Sequence, residues 1–274
     1  RMLVEEAKIS LVCYFLGLSN LLLYSSINGV FSYSIVLHPT FLLAVFYLVL
    51  SPGHFQYAIR AAFLGAVFGL GVILQVNYPE IRAFGWYSIV LSVFHFSEFF
   101  SIALINPKSL KLDSFLLNHS LNYLVAAVLS WIEFWVEYYF FADIKCSILN
   151  YIGLVMCICG ELIRKAGMFT ACASFDHIVQ TEKPDNHKLV THGIYGVWRH
   201  PSYVGWFWWS IGTQIILVNP LCCLGYTLAS WMFFYSRVLS EELTLIEFYG
   251  DEYVQYQRNV PTGLPFIHGY VVTN

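Results

Sequence analysis

Charged residues are scarce in this chain. They make up 11% of its 274 residues, whereas a soluble domain carries about a quarter. The chain also has no excess of positive charge, because 17 Asp and Glu outnumber 14 Lys and Arg. A basic stripe that could neutralise nucleic-acid phosphates is therefore missing. Together with 58% hydrophobic residues and a mean hydropathy of +0.63, these deficits exclude a soluble globular domain and a nucleic-acid partner, and they indicate a polytopic membrane protein.

Metal-ligand spacing is also missing. The seven cysteines lie mostly within apolar segments and form neither zinc-type pairs nor the framework of a small secreted domain. Of the nine histidines, His187, His192 and His200 lie closest together, but they do not share one helical face. We expect reduced, buried thiols and no metal site.

Long apolar runs dominate the chain instead. The first run lacks a small-residue cleavage site and is long enough to span a bilayer, so a removed signal peptide is not expected. The third run contains Gly65 and Gly69, a spacing that lets helix backbones approach closely in lipid. The sequence therefore predicts an all-α polytopic membrane protein with about eight transmembrane helices. The predicted spans are 9–27, 34–50, 57–76, 83–105, 119–141, 147–173, 202–218 and 221–239.

Four carboxyl groups interrupt these spans: Glu98, Glu133, Glu137 and Glu161. An ionised group in hydrocarbon costs at least roughly 2.5 kcal/mol, so each should face the bundle interior, a cavity or the interface. Each could be a paired structural carboxyl or a functional group, and the sequence leaves this open. Glu161 has helical spacing for a pair with Arg164 or Lys165.

The last two spans are separated only by Asn219-Pro220, which predicts an antiparallel hairpin. Its ends, near Arg199 and Glu241, should meet at one membrane face. Eight spans would place twelve of the 14 Lys and Arg on that same face and only Arg82 and Lys145 on the other. This bias predicts that the face is cytosolic. We divide the chain into N-terminal transmembrane helices, 1–146, and a C-terminal catalytic region, 147–274, facing the cytosol.

A dense polar stretch, THGIYGVWRHPSYVG, precedes the hairpin at 191–205. Pro201 predicts a helix start, because proline is favoured at the first helical position. His200 before it is not a favoured N-cap residue. The first-turn amides of Ser202, Tyr203 and Val204 are therefore expected to be free to hold an anionic group.

The C-terminal tail shows apolar residues at helical intervals after Glu241. Gly250 predicts a break, and Asp251 could cap a second short helix. Such a helix fits either an amphipathic membrane anchor or a lid over the polar stretch.

Five motifs together carry a family resemblance: HKLV at 187–190, HGIYG at 192–196, RHPSYVGW at 199–206, the pair Glu241-Glu242, and YGDEYVQYQRNVP at 249–261. They resemble the isoprenylcysteine carboxyl methyltransferases, membrane enzymes of CaaX-protein processing. The match is densest in the C-terminal third, and the eight-span layout agrees with animal members. RHPxYxG alone is also similar to membrane sterol reductases and phospholipid methyltransferases, so the paired Glu and the tail make the resemblance specific.

The resemblance implies methyl transfer from S-adenosylmethionine, leaving S-adenosylhomocysteine, to the C-terminal carboxylate of farnesyl- or geranylgeranyl-cysteine in CaaX proteins. It also implies an endoplasmic reticulum membrane location. Arg237 would orient the substrate carboxylate, and Arg199 and Glu241 would be further catalytic residues. The implied cofactor residues are Gln180, His187, Lys188, Leu189, Val190, Tyr195, His200, Pro201, Ser202, Tyr203 and Glu241.

Other interpretations stay open at this point. Arg199 and His200 could reach lipid headgroups, and Arg237 with Glu241 could be a simple i, i+4 ion pair. An NADPH-dependent sterol reductase could use a related pocket, and a non-enzymatic transporter could use the intramembrane carboxyl groups.

Overall fold

The computed structural model describes residues 3–21, 24, 38–117, 121–180, 182–183 and 188–270. Nine α-helices and short 3₁₀ turns, with no strand, make up the regular structure of these residues. The predicted all-α fold is therefore confirmed. The helices are α1 Glu5–Leu18, α2 His38–Val49, α3 Pro52–Asn77, α4 Arg82–Ile105, α5 Leu121–Phe140, α6 Ser147–Ala171, α7 Pro201–Leu217, α8 Pro220–Tyr249 and α9 Asp251–Asn259.

Among the described residues, three helical stretches are long and apolar enough to cross a membrane: Pro52–Asn77, Pro79–Ile105 and Ser147–Ser174. The predicted count of about eight spans stays a prediction. Helix α7 has 17 residues, or about 26 Å, which is short of the roughly 30 Å hydrocarbon core. Helix α8 continues ten residues past the predicted end at 239. Its C-terminal third therefore lies beyond the predicted apolar hairpin.

Helix α1 begins at Glu5 rather than at residue 9. The end of the first predicted span, the loop predicted to follow it and the start of the second span lie outside the described residues. The third predicted span begins five residues early, at Pro52. Ser51 caps it by accepting a hydrogen bond from the His54 amide at 3.5 Å, which is why the Ser-Pro-Gly turn continues directly into a helix.

The chain divides into two compact units, Arg1–Ala127 with Asp143–Tyr151, and Val128–Ala142 with Ile152–Asn274. This division differs from the predicted boundary at 146/147, because residues 128–142 belong with the C-terminal helices. Ser130 in α5 accepts a hydrogen bond at its carbonyl oxygen from Asn219 Nδ2 at 2.8 Å, at the hairpin turn. Glu133 accepts from the amides of Leu221 and Cys222, both at 2.7 Å. One of the four intramembrane carboxyl groups is thus the N-terminal cap of α8.

In the N-terminal unit, α1 packs directly on α3. A β-carbon at Gly17 would lie 2.0 Å from the Ala62 carbonyl oxygen, and one at Gly65 would lie 1.9 Å from that of Tyr14. At Gly69 it would lie 2.0 Å from Asn20 Oδ1. The close helix approach predicted from Gly65 and Gly69 is confirmed, because no larger side chain fits at either position.

Two of the remaining intramembrane carboxyl groups are buried as expected. Glu98 has no exposed surface, and Glu137 is 7% exposed. Glu161 pairs with Lys165 at 3.3 Å, one of its two predicted partners. The other, Arg164, donates to Ser202 at the start of α7.

In the C-terminal unit, glycines form a seam between α6 and α7. Gly153, Gly160 and Gly167 recur every seven residues along α6. A β-carbon at Gly160 would lie 2.6 Å from the Gly205 carbonyl oxygen, and one at Gly205 would lie 2.4 Å from that of Gly160. This contact brings the start of α7 against the end of α6, where Arg164 donates to Ser202 Oγ at 2.8 Å.

Substituting Gly160→Leu should push α6 and α7 apart and lower the thermal unfolding temperature in detergent. Overpacking a close contact costs about 1–3 kcal/mol. Gly225→Leu in α8 is the matched control, because no atom lies within 4 Å of its β-carbon position. Equal unfolding temperatures for the two variants would contradict the role of the seam.

Candidate active site

A cavity of about 120 Å³ lies in the C-terminal unit, between the end of α6, the start of α7, the outer part of α8 and α9. The described parts of the segment between α6 and α7 form its rim. Ten of the eleven residues implied for the cofactor line it: Gln180, Lys188, Leu189, Val190, Tyr195, His200, Pro201, Ser202, Tyr203 and Glu241. The eleventh, His187, lies outside the described residues. Arg199 and Arg237 also line the cavity.

The hairpin brings its two ends together as the sequence predicted. Tyr203 near the start of α7 donates its hydroxyl to Glu241 Oε2 in α8. The Tyr203 ring stacks on the His200 ring, with centroids 5.4 Å apart and planes within 5°. One wall of the cavity therefore carries a tyrosine, a histidine and a carboxylate in direct contact.

Arg237 does not pair directly with Glu241, although the two are four residues apart. Its Nε donates to the Tyr203 hydroxyl oxygen at 3.2 Å, so the tyrosine bridges the two side chains. Its Nη2 donates to the His177 carbonyl oxygen at 2.7 Å. A guanidinium has five N–H groups, so three donors, including both on Nη1, are without an acceptor among the described residues. Arg237 thus has guanidinium N–H groups available to bind a ligand in the cavity.

Glu242 is the hub of the site, and its carboxylate has no exposed surface. Oε1 accepts from Arg199 Nε at 2.8 Å, from His200 Nε2 at 3.0 Å and from the Tyr253 hydroxyl at 3.2 Å. Oε2 accepts from Gln257 Nε2 at 2.9 Å and from the Tyr270 amide at 2.8 Å. Burial alone would raise the pKa of Glu242, but the hydrogen bonds and charges of His200 and Arg199 outweigh it and hold the pKa at about 2.

Arg199 is almost fully occupied by protein acceptors. Besides Glu242, its Nη1 donates to the carbonyl oxygens of Gln257, at 3.2 Å, and Val260, and its Nη2 to that of His268 at 2.9 Å. Four of its five N–H groups are therefore used within the protein. This geometry is typical of a side chain that holds chain segments together.

The first turn of α7 departs from the prediction of three free amides. Tyr203 and Val204 both donate to the His200 carbonyl oxygen, at 3.0 and 3.1 Å, because the turn tightens behind Pro201. Of the three, only the Ser202 amide has no acceptor among the described residues. The expected anion site at this helix end is correspondingly reduced.

The tail covers the cavity. Tyr253 and Tyr256 of α9 line it, and the Tyr256 hydroxyl donates to the Tyr195 carbonyl oxygen at 2.6 Å. Gly250, at φ +54°, makes the break predicted between α8 and α9. Asp251 is the first residue of α9 rather than its cap, where its charge favours the helix N-terminus. These contacts favour the lid interpretation of the tail over the amphipathic anchor.

Comparison with known proteins agrees with this geometry. Residues 152–247 match the model of the isoprenylcysteine carboxyl methyltransferase family. The human protein-S-isoprenylcysteine O-methyltransferase is 50% identical over 273 residues, covering 98% of this chain and 95% of the relative.

The chain belongs to the isoprenylcysteine carboxyl methyltransferase family.

Other relatives and a solved structure point the same way. The Tribolium castaneum enzyme is 50% identical over 94% of this chain and 90% of its own, and the Saccharomyces cerevisiae enzyme is 40% identical over 72% and 88%. A solved structure described as the eukaryotic intramembrane Ras methyltransferase matches with a TM-score of 0.94 and 46% identity, covering 98% of this chain and all of the other. The family resemblance of the five motifs is confirmed, and methyltransferase is favoured over reductase and transporter.

Sequence reasoning missed several residues in or beside the cavity. Glu242 stood beside Glu241 in the motif, but only Glu241 received a role. Tyr253 and Tyr256, spaced three apart in α9, gave a signal that could have identified them as cavity residues. Arg164, which is 1% exposed and lies 4.7 Å from the Trp206 ring centroid, carried no such signal, because its partner Ser202 is distant in sequence.

Glu242→Gln should destabilise the protein far more than Glu241→Gln. The first change leaves the buried Arg199 charge without its carboxylate, and breaking such a pair costs about 3–5 kcal/mol. The second affects a partly exposed group. Thermal unfolding of the two purified variants measures the difference, and similar unfolding temperatures would contradict the hub role of Glu242.

The contribution of Glu242 should also depend on pH. Its pKa is lowered from 4.5 to about 2 in the folded protein, so its stabilisation is complete above about pH 4.5 and is lost as the pH falls towards 2. The difference in stability between the wild type and Glu242→Gln should therefore shrink over that window. A constant difference, measured by denaturation at a series of pH values, would exclude the assigned pKa.

Proposed function

We propose that this chain transfers a methyl group from S-adenosylmethionine to the C-terminal carboxylate of a prenylated cysteine, with the cavity as cofactor site and Arg237 as carboxylate ligand. The observation that carries the proposal is the free guanidinium fork of Arg237 at the wall of this cavity. Family membership supports the reaction class. The donor and the residue roles are our assignment.

The residues of the cavity suit such a cofactor. Glu241 presents a carboxylate that can accept from an ammonium or from ribose hydroxyls. Leu189, Val190 and the Tyr195 ring provide apolar surface for a purine. The Ser202 amide is a donor that could receive a carboxylate at the start of α7. The cavity thus contains the hydrogen-bond donors, the acceptors and the apolar surface that S-adenosylmethionine requires.

The cavity is smaller than the roughly 300–1,000 Å³ of typical ligand clefts, so binding would have to widen it. Contacts between the described rim segments and α8 include two hydrogen bonds. Arg237 donates to the His177 carbonyl oxygen, and Lys183 donates to that of Phe248 at 3.0 Å. We infer that this rim moves outward to admit the cofactor, because the opposite wall is fixed by the Glu242 network.

The chemistry needs little from the protein beyond positioning. The α-carboxyl group of the substrate has an ordinary pKa of about 3.5 and is ionised at neutral pH, so no general base is required. When bound, S-adenosylmethionine supplies an electrophilic methyl group on a sulfonium. Arg237 would hold the substrate carboxylate through two parallel hydrogen bonds. Tyr253 and Tyr256 would exclude water above the reacting groups.

Arg199, for which the motif implied a catalytic role, is better assigned as a positioning residue. Four of its N–H groups bind the protein, whereas Arg237 keeps three free. It acts by fixing Glu242 and the segment of residues 257–268 behind the cavity wall. We retain Glu241 as a cofactor ligand.

We further propose that the chain lies in the endoplasmic reticulum membrane with about eight spans and the cavity facing the cytosol. The distribution of Lys and Arg supports this orientation. Its partners would be CaaX proteins carrying a farnesyl or geranylgeranyl cysteine, whose lipid chain would enter from the bilayer between the later helices.

Arg237→Ala should abolish methylation while S-adenosylhomocysteine still binds, because the substitution removes the carboxylate ligand and leaves the other cavity residues. Methylation is measured with radiolabelled S-adenosylmethionine and N-acetyl-farnesylcysteine, and binding by calorimetry. Arg237→Lys should recover only part of the activity, since a lysine cannot bind a carboxylate through a planar fork.

Arg258→Ala is the matched control, because Arg258 is an exposed arginine of α9 and should leave both readouts unchanged. Unchanged turnover in Arg237→Ala would overturn the assigned role. Loss of cofactor binding in that variant would instead place Arg237 in the cofactor site.

A further inference from the structure

The C-terminal tail makes a tight turn beyond α9, at residues 264–267, which we call the tail turn. The Ile267 amide donates to the Leu264 carbonyl oxygen at 3.3 Å and closes the turn. Pro265 occupies its second position, where proline is favoured, and Phe266 occupies its third. The methyl-transfer chemistry assigned above uses none of these four residues.

Phe266 is an unusual residue for the third position of a turn. Its φ is +59°, a left-handed conformation that glycine and asparagine adopt far more readily than a bulky side chain does. The side chain is also 87% exposed, so packing against the described residues does not offset this strain. A phenylalanine at this position therefore points to a partner outside the described chain.

The rest of the tail turn is held firmly. Leu264 and Ile267 are 5% and 3% exposed and pack in one apolar cluster with Phe234 of α8. The Thr262 hydroxyl donates to the Ile267 carbonyl oxygen and accepts from the Leu264 amide at 3.3 Å. Phe266 thus projects from a fixed turn rather than from a loose chain end.

A hydrogen bond to α8 sets the level of the tail turn. Trp231 Nε1 donates to the Pro265 carbonyl oxygen at 2.8 Å. Trp231 precedes Arg237 by six residues, which is about 9 Å along the helix axis towards the apolar hairpin. This offset matches the roughly 5–10 Å to which interfacial segments enter a bilayer. The tail turn therefore lies on the apolar side of the cavity.

The surface beside the tail turn is apolar. Helix α8 exposes a row of side chains spaced by three or four residues, which places them on one face: Leu221, Leu224, Leu228, Met232 and Tyr235. The Tyr235 ring stacks on the Trp231 ring, with centroids 5.4 Å apart and planes within 18°. The exposed apolar face of α8 therefore continues through Trp231 to the tail turn.

The chemistry of this surface favours lipid over a protein partner. Residues 260–270 contain no Asp, Glu, Lys or Arg, so they offer no ion pair to a charged polypeptide. Trp and Tyr, as at positions 231 and 235, are enriched at the level of lipid headgroups. Pro265 has no N–H group, and its carbonyl oxygen already accepts from Trp231. Little backbone polarity at Pro265 would be exposed to lipid.

We propose that the tail turn is a membrane anchor, which inserts Phe266 into the acyl boundary of the leaflet on the cavity side. The proposal rests on the membrane arrangement proposed above for the α7–α8 hairpin. Its partner is the lipid bilayer itself. The tail that covers the cavity would then be fixed twice, at Glu242 through the Tyr270 amide and at the membrane through Phe266.

The test replaces Phe266 with the photo-cross-linking residue p-benzoylphenylalanine, in the full chain reconstituted in nanodiscs of dioleoylphosphatidylcholine. An exposed aromatic position accommodates this larger aromatic group. Irradiation should join residue 266 to an acyl chain, because the excited ketone inserts into neighbouring C–H bonds. Mass spectrometry should show a lipid adduct whose mass changes when dimyristoylphosphatidylcholine replaces the first lipid.

Two further positions serve as matched controls for this cross-link. Leu228, on the exposed face of α8, should give the same lipid adduct, whereas Glu252, exposed on α9, should give none. Methylation of N-acetyl-farnesylcysteine is measured separately on each variant. Failure of the proposed reaction would therefore appear in that assay and leave the adducts unchanged.

Phe266→Gly gives an independent readout in the same nanodiscs. Glycine suits a φ of +59° better than phenylalanine does, so local strain alone predicts a higher thermal unfolding temperature. Loss of a side chain buried in lipid predicts a lower one. We expect the lower temperature, and an unchanged or higher one would contradict the anchor.

The cross-links can also overturn the proposal. A lipid adduct at Leu228 but not at Phe266, or equal yields at Phe266 and Glu252, would show that the tail turn lies outside the bilayer. An adduct between Phe266 and added N-acetyl-farnesylcysteine in place of lipid would assign Phe266 to the substrate path instead. No lipid adduct at Leu228 would refute the membrane arrangement of the hairpin, and the anchor with it.

Discussion

A single buried carboxylate, that of Glu242, determines how the C-terminal unit closes. A buried ion is tolerated only when charge and hydrogen bonds replace the water that it has lost. Arg199 supplies a charge and a donor from before α7, and His200 supplies a second donor there. Tyr253 and Gln257 supply donors from α9, and the Tyr270 amide supplies another from the tail. Three separate parts of the chain therefore meet at one point. The cavity lies beside this point, and its inner wall has the rigidity of a fully satisfied network.

The packing of α6 against α7 has a different physical basis. Contact between glycine backbones lets α6 and α7 approach closely enough for Arg164 to reach Ser202. Glu133 of α5 caps α8 and, with Ser130, fixes the hairpin turn. Dispersion between closely packed backbones thus orders the apolar end of the unit, where water-driven association is weak. Electrostatics orders the polar end, and the outer part of α8 connects the two.

The sequence predicted a structural feature correctly where residues close together in the chain determine that feature. Pro201 marked a helix start, and the Gly65–Gly69 spacing marked a close helix contact. The hairpin at Asn219 was enough to predict that Arg199 and Glu241 lie near each other. The roles of neighbouring residues were not predictable, because Glu241 and Glu242 are identical in type and differ only in which side of α8 they occupy. Likewise, Arg199 and Arg237 could be distinguished only by their acceptors, and several of these are backbone carbonyl groups that carry no sequence signal.

The partners of Glu242 also fix an order of assembly. Arg199 and His200 precede it in the chain, but Tyr253, Gln257 and Tyr270 follow it by 11, 15 and 28 residues. Three of the five partner groups are therefore synthesised after the carboxylate itself. Until the tail folds back, the carboxylate can have only Arg199 and His200 as partners. The Glu242 network, and with it the inner wall of the cavity, can accordingly be complete only after residue 270 has been made.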